Sequence, residues 1–173
     1  MNYQISYLSP QGHAKELACS FKRLFPSRTP IIDLKKENRI DADVFLIGFE
    51  FINNDIETIP DLIQQFLSKL ESREILLFAT SPVFINSQMH GQLERNIRRI
   101  LPEKCKFHGL FLCQGEVYVT VIDQLASIAT QHPDDLHIKC LLGQYRKAKG
   151  HPNREDVRKG YRYISAALHL DLE

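Results

Sequence analysis

Ser9, Pro10, Gln11, Gly12, His13 and Ala14 stand between a strand-like start, Tyr3 to Tyr7, and an amphipathic helix. A short polar turn with a glycine, opening directly onto a helix, leaves several backbone N–H groups unpaired and pointing one way. Together with the helix dipole, such a turn favours a bound anion, most often a phosphate. In a chain that alternates strands and helices, a phosphate site after the first strand implies a cofactor. The candidate donors are Ser9 and the N–H groups of Gln11 through Ala14, and a protonated His13 would add positive charge.

Other chemistry-bearing residues give weaker signals. The seven histidines include no H-x-x-x-H or H-E-x-x-H pair, so no metal site is assigned. The four cysteines (Cys19, Cys105, Cys113, Cys140) contain no C-x-x-C pair and suggest no disulfide framework. Cys113 at a strand end reads as a buried structural thiol before a reactive one. Glu50 and Asp55 are near enough in sequence to act as an acid/base pair, but loop carboxylates are ordinarily solvated, and no catalytic residue is assigned.

The elements that must position this turn follow from periodicity. Tyr3–Leu8, Ile31–Leu34, Asp43–Phe49, Glu74–Thr80 and Lys106–Cys113 read as strands. Asp43–Phe49 is nearly all apolar, as a strand covered on both faces should be. Ala14, Leu17, Ala18, Phe21 and Leu24 mark a first helix, ended by Pro26. Pro60 opens a second with Ile63, Phe66, Leu67 and Leu70. Met89, Leu93, Ile97, Ile100 and Leu101 mark a third. The tail reads as mostly helical, although Val117–Val121 also has strand propensity. Ile138, Leu141, Leu142 and Tyr145 form a further stripe, and Asn153 caps a last helix with Glu155 and Asp156 in its first turn. Five strands alternating with helices predict one α/β domain over residues 1–173, a three-layer doubly wound parallel sheet. Its ligand should lie beyond the C-terminal strand ends.

Composition narrows the class. A formal net charge of +1 gives no global field toward nucleic acid or an anionic membrane, and short basic runs such as Arg146-Lys147-Lys149 are ordinarily solvated faces. Neither a signal peptide nor a membrane-length apolar run is visible, so a reducing cytoplasm is expected. The G-x-x-x-x-G-K-[ST] and G-x-G-x-x-G motifs are absent, which argues against a P-loop or a dinucleotide site. A response-regulator receiver needs acidic residues where Ser9-Pro10 and Gly48-Phe49 stand.

The ordered set of Ser9-Pro10-Gln11-Gly12-His13-Ala14, Asp43–Phe49, Phe78-Ala79-Thr80-Ser81, Phe107–Gly115 with its C-Q-G turn, and Gly150-His151-Pro152-Asn153-Arg154-Glu155-Asp156 resembles the flavodoxin-like family over nearly the whole chain. That resemblance implies strand order 2-1-3-4-5 and a site for flavin mononucleotide (FMN). The first turn would cradle its phosphate. Phe49, Glu50 and Phe51 after the third strand, and Thr80, Ser81 and Pro82 after the fourth, would contact the flavin, with Asn53 and Asn54 suited to a peptide flip.

The family's loop reads roughly S/T-x-T-G-N-T. Here Gln11 and Ala14 stand where threonines are common and His13 replaces an asparagine. Each lost charge-assisted hydrogen bond weakens binding by ~1.5–3 kcal/mol, so FMN affinity below the family norm is expected. The resemblance implies an electron-transfer protein, or a small FMN-dependent reductase, serving a partner oxidoreductase. Small family members can serve one dedicated enzyme, and an auxiliary role in bilirubin reduction is one such case. The competing reading is a non-redox binding module that has kept the fold and lost FMN.

Overall fold

The computed structural model describes residues 1–52 and 58–170. Five strands form one parallel sheet in the order β2-β1-β3-β4-β5. They are β1 (Tyr3–Tyr7), β2 (Ile31–Asp33), β3 (Val44–Glu50), β4 (Glu74–Ser81) and β5 (Lys106–Gln114). This is the doubly wound order expected from the sequence. Side chains alternate across each strand. In β3, Phe45, Ile47 and Phe49 enter one core, while Leu46 enters the core on the opposite face. In β4, Ile75, Leu77 and Ala79 take the first face, and Leu76 and Phe78 the second.

Helices cover both faces. On the second face lie α1 (His13–Phe21) and α6 (Arg154–Leu168), and Phe21 meets Phe78 edge-on at 5.3 Å, a favoured aromatic geometry. The first face is covered by α2 (Asp61–Leu67) and α3 (Ser87–Ile100), with Tyr145 of α5 (Leu136–Lys147) joining the same core. Ala14, Leu17, Ala18 and Phe21 of α1 are all buried, so these residues of the stripe form the packed face, while Leu24 follows in a short 3-10 turn (Lys22–Leu24) and packs half-buried against the same core. The expected Asn153 cap is present as a full capping box: its side chain accepts from Glu155 and Asp156 N–H, and Asp156 accepts from Asn153 N–H.

The ambiguous stretch Val117–Val121 forms no strand: Val117 and Tyr118 lead in, and helix starts at Val119. This helix is α4 (Val119–Gln131), which pairs with α5 as a hairpin inserted before α6. No residue of α4 is fully buried, and Val119 and Ile128 are exposed. The chain therefore carries two helices between its last strand and its last sheet-covering helix, and residues of both line a cleft beside the turn after β1. No helix among the described residues is long and apolar enough to cross a membrane.

Candidate functional site

The parallel register puts β1 beside β3, with Tyr7 opposite Gly48 and Leu8 N–H donating to Gly48 carbonyl oxygen at 2.8 Å. This holds the turn after β1 against the end of β3. Gly12 sits at the N-cap of α1 with φ +97° and offers no side chain to cap the helix. That left-handed conformation is open to glycine and strained for other residues. The first-turn N–H groups of α1 therefore need an acceptor from elsewhere.

Glu50 supplies it. Strand alternation sends its side chain to the α1 face, opposite to Phe49 and Phe51. Its carboxylate accepts from Ser9 hydroxyl at 2.5 Å, Gln11 N–H at 2.7 Å and Ala14 N–H at 2.9 Å. Ser9 oxygen in turn accepts from Lys15 N–H at 3.0 Å. Glu50 is only 2% exposed. A buried carboxylate is tolerable only when hydrogen-bonded or paired, and here three donors at a helix N-terminus meet it. Ser9 hydroxyl and the Gln11 and Ala14 N–H groups thus meet at one oxyanion, and that oxyanion is the protein's own side chain.

The remaining candidates separate into two groups. Phe49 and Phe51 are buried and pack edge-on against each other at 5.2 Å. Their parity directs both into the core beneath α2 and α3, so they fill the interior instead of presenting a face to a ligand. Thr80, Ser81 and Pro82 are also buried, and Ser81 hydroxyl is engaged with Val83 in its own turn. Pro10, by contrast, is exposed. Asn53, Asn54 and Asp55 lie outside the described residues.

His13 stays at the rim. Its Nε2 lies 2.8 Å from Glu116 carbonyl oxygen, and a carbonyl only accepts, so that nitrogen carries a proton. The contact clamps the β1 turn to the segment after β5. Gly115 lies in the same clamp: a Cβ there would come within 2.9 Å of Thr80 Cβ and 3.2 Å of His13 Cδ2. Beside the clamp opens a cleft of about 500 Å³ lined by Gln11, His13, Tyr118, Ile122, Arg146 and Lys149, among others. Tyr118 is exposed, and Arg146 and Lys149 make no ion pair among the described residues.

Cys113, at the end of β5, is chemically quiet: burial first, and the nearby Asp156 charge second, push its thiol far above the ordinary range. Among the described residues no group of three or more His, Cys, Asp or Glu side chains could hold a metal.

A family model described as a flavodoxin domain matches residues 4–165. The chain belongs to the flavodoxin family. It is 24% identical over 174 residues to the flavodoxin-like domain-containing protein BilS of Clostridium symbiosum, covering 91% of this chain and 90% of that protein. Among solved structures it resembles oxidised Flavodoxin 2 from Bacillus cereus (TM-score 0.60, 11% identity, 98% of this chain and 99% of that one). It also resembles two-electron reduced Megasphaera elsdenii flavodoxin (TM-score 0.50, 14% identity, 86% of this chain and 99% of that one). At these identities the likeness to solved structures is one of fold.

Sequence reasoning missed the role of Glu50 and the cleft around Tyr118. A charged residue inside the run Val44–Phe51, at the same parity as Leu46, was the available signal for the first: it had to point at α1. No comparable signal announced the second, because the α4–α5 hairpin makes the cleft by tertiary packing.

Proposed function

We propose that this flavodoxin-family protein binds FMN at the C-terminal end of its sheet and serves as an electron-transfer partner to a dedicated oxidoreductase. The observation that carries the reading is the convergence of Ser9 hydroxyl, Gln11 N–H and Ala14 N–H on one oxyanion. That donor set is of the kind a phosphoryl group takes. The adjoining cleft shares Gln11 and His13 with the turn, and its size falls within the range of small-molecule sites. Tyr118 would offer the flavin an aromatic surface there, and Arg146 and Lys149 would offer positive charge. Bound FMN would supply the redox chemistry, and the protein would supply orientation and electrostatics.

The donors fit the phosphoryl group in kind, but Glu50 engages them. The role of this chain's residues is then to hold an oxyanion at Ser9, Gln11 and Ala14, to clamp the two loops through His13 and Glu116, and to present Tyr118. A bilirubin-reducing enzyme is the partner to test first, because a small family member can be dedicated to one such enzyme. The same Glu50 contact, with Phe49 and Phe51 turned inward, favours a second reading in which the fold docks a partner without flavin.

Titrating the purified protein with FMN and following the quenching of flavin fluorescence decides between them. Quenching that saturates, with the colour bleaching on anaerobic reduction, supports the electron carrier. A colourless protein that leaves FMN fluorescence unchanged supports the flavin-free module.

A further inference from the structure

We propose that Glu50 is an internal substitute for a ligand's phosphoryl group and thereby sets which flavin the site accepts. The inference rests on the FMN reading for the identity of the ligand, and on the geometry of the turn for everything else. One carboxylate takes Ser9 hydroxyl, Gln11 N–H and Ala14 N–H together. A phosphoryl dianion cannot share those donors. To reach them it must expel a buried anion, and if it stays outside it faces that anion's charge. In either case the phosphate gains little net affinity, because what it would win from the turn Glu50 already holds.

Two consequences follow. The protein accepts riboflavin and FMN with similar affinity, since the phosphate that distinguishes them finds its place taken. Removing the carboxylate restores the distinction. Glu50→Ala vacates the position, whereas Glu50→Gln keeps the volume, loses the charge and sets an amide N–H against a backbone N–H.

The test measures both flavins by fluorescence quenching against wild type, E50A and E50Q. The expected result is an FMN-to-riboflavin affinity ratio near one in wild type that rises by about tenfold or more in E50A, the gain worth one recovered hydrogen bond to a charged group. The rise should be smaller in E50Q. A wild type that already prefers FMN by that margin, or variants whose ratio stays put, would overturn the proposal while leaving FMN binding intact.

Inorganic phosphate is the second probe, read by NMR at the Gln11 and Ala14 amides. If no form of the protein binds either flavin, yet phosphate moves these resonances in E50A or E50Q and not in wild type, the FMN reading fails and Glu50 keeps its role. If phosphate moves them in wild type as readily as in the variants, or in none of them, the proposal is refuted. Should both variants fail to fold, wild type alone still tests the proposal: amides that titrate and saturate with phosphate, or a preference for FMN over riboflavin of about tenfold or more, refute it, and an FMN-to-riboflavin ratio near one supports it.

Discussion

Replacing Glu50 with alanine should destabilise the protein by an amount that inorganic phosphate returns. The carboxylate accepts three hydrogen bonds, at 2.5, 2.7 and 2.9 Å. Ala14 is fully buried, and water entering the vacated space is a poorer acceptor than the carboxylate, so loss of this charge-assisted bond costs about 1–3 kcal/mol. Ser9 and Gln11 are half-buried. Water can partly replace the acceptor there, leaving about 0.5–1 kcal/mol for each. The sum is about 2–5 kcal/mol, a large share of the stability of an ordinary domain. In a chain of 173 residues it corresponds to a fall in Tm of about 4–20 °C.

Urea denaturation and thermal melts of wild type and E50A, each with and without phosphate, provide the measurement. Phosphate at about a hundred times its Kd should return about 2.7 kcal/mol to the variant and almost none to wild type. The reasoning fails if E50A loses less than about 0.5 kcal/mol, or if phosphate stabilises both proteins equally.

Four further outcomes are expected. Tyr118→Ala should weaken flavin binding by about two- to tenfold, the worth of one aromatic contact, and leave the melting temperature unchanged because the ring is exposed. Iodoacetamide applied to the native protein should label the exposed Cys19 and Cys140 and spare Cys113, as read by mass spectrometry. Asn153→Ala removes the acceptor for two first-turn N–H groups and should cost about 1 kcal/mol in urea denaturation. Glu74 is held below the ordinary carboxylate range chiefly by its hydrogen bond to His108, helped by Lys106 and opposed by burial. A carboxyl lowered in the folded state adds stability above its unfolded pKa and loses it as pH falls through the folded one. Wild type should therefore lose stability through the acid carboxylate range, and His108→Ala should flatten that loss in denaturation curves taken across the range.

The residue pattern alone determined the elements and their order. Runs such as Val44–Phe49 and stripes such as Ala14, Leu17, Ala18 and Phe21 fix strand and helix locally, because burial on one face imposes its period on the chain. The glycine turn announced an anion cradle because N–H groups at a helix start are a local property. Tertiary structure decided what fills it. Ser9 and Glu50 lie 41 residues apart, and only the parallel register of β1 on β3 brings them together. A slip of one residue would turn Glu50 into the apolar core beneath α2 and α3 and carry Phe49 to the α1 face. Local propensity also left Val117–Val121 undecided between strand and helix, and there the pairing of α4 with α5 made the choice and formed the cleft that Tyr118 lines.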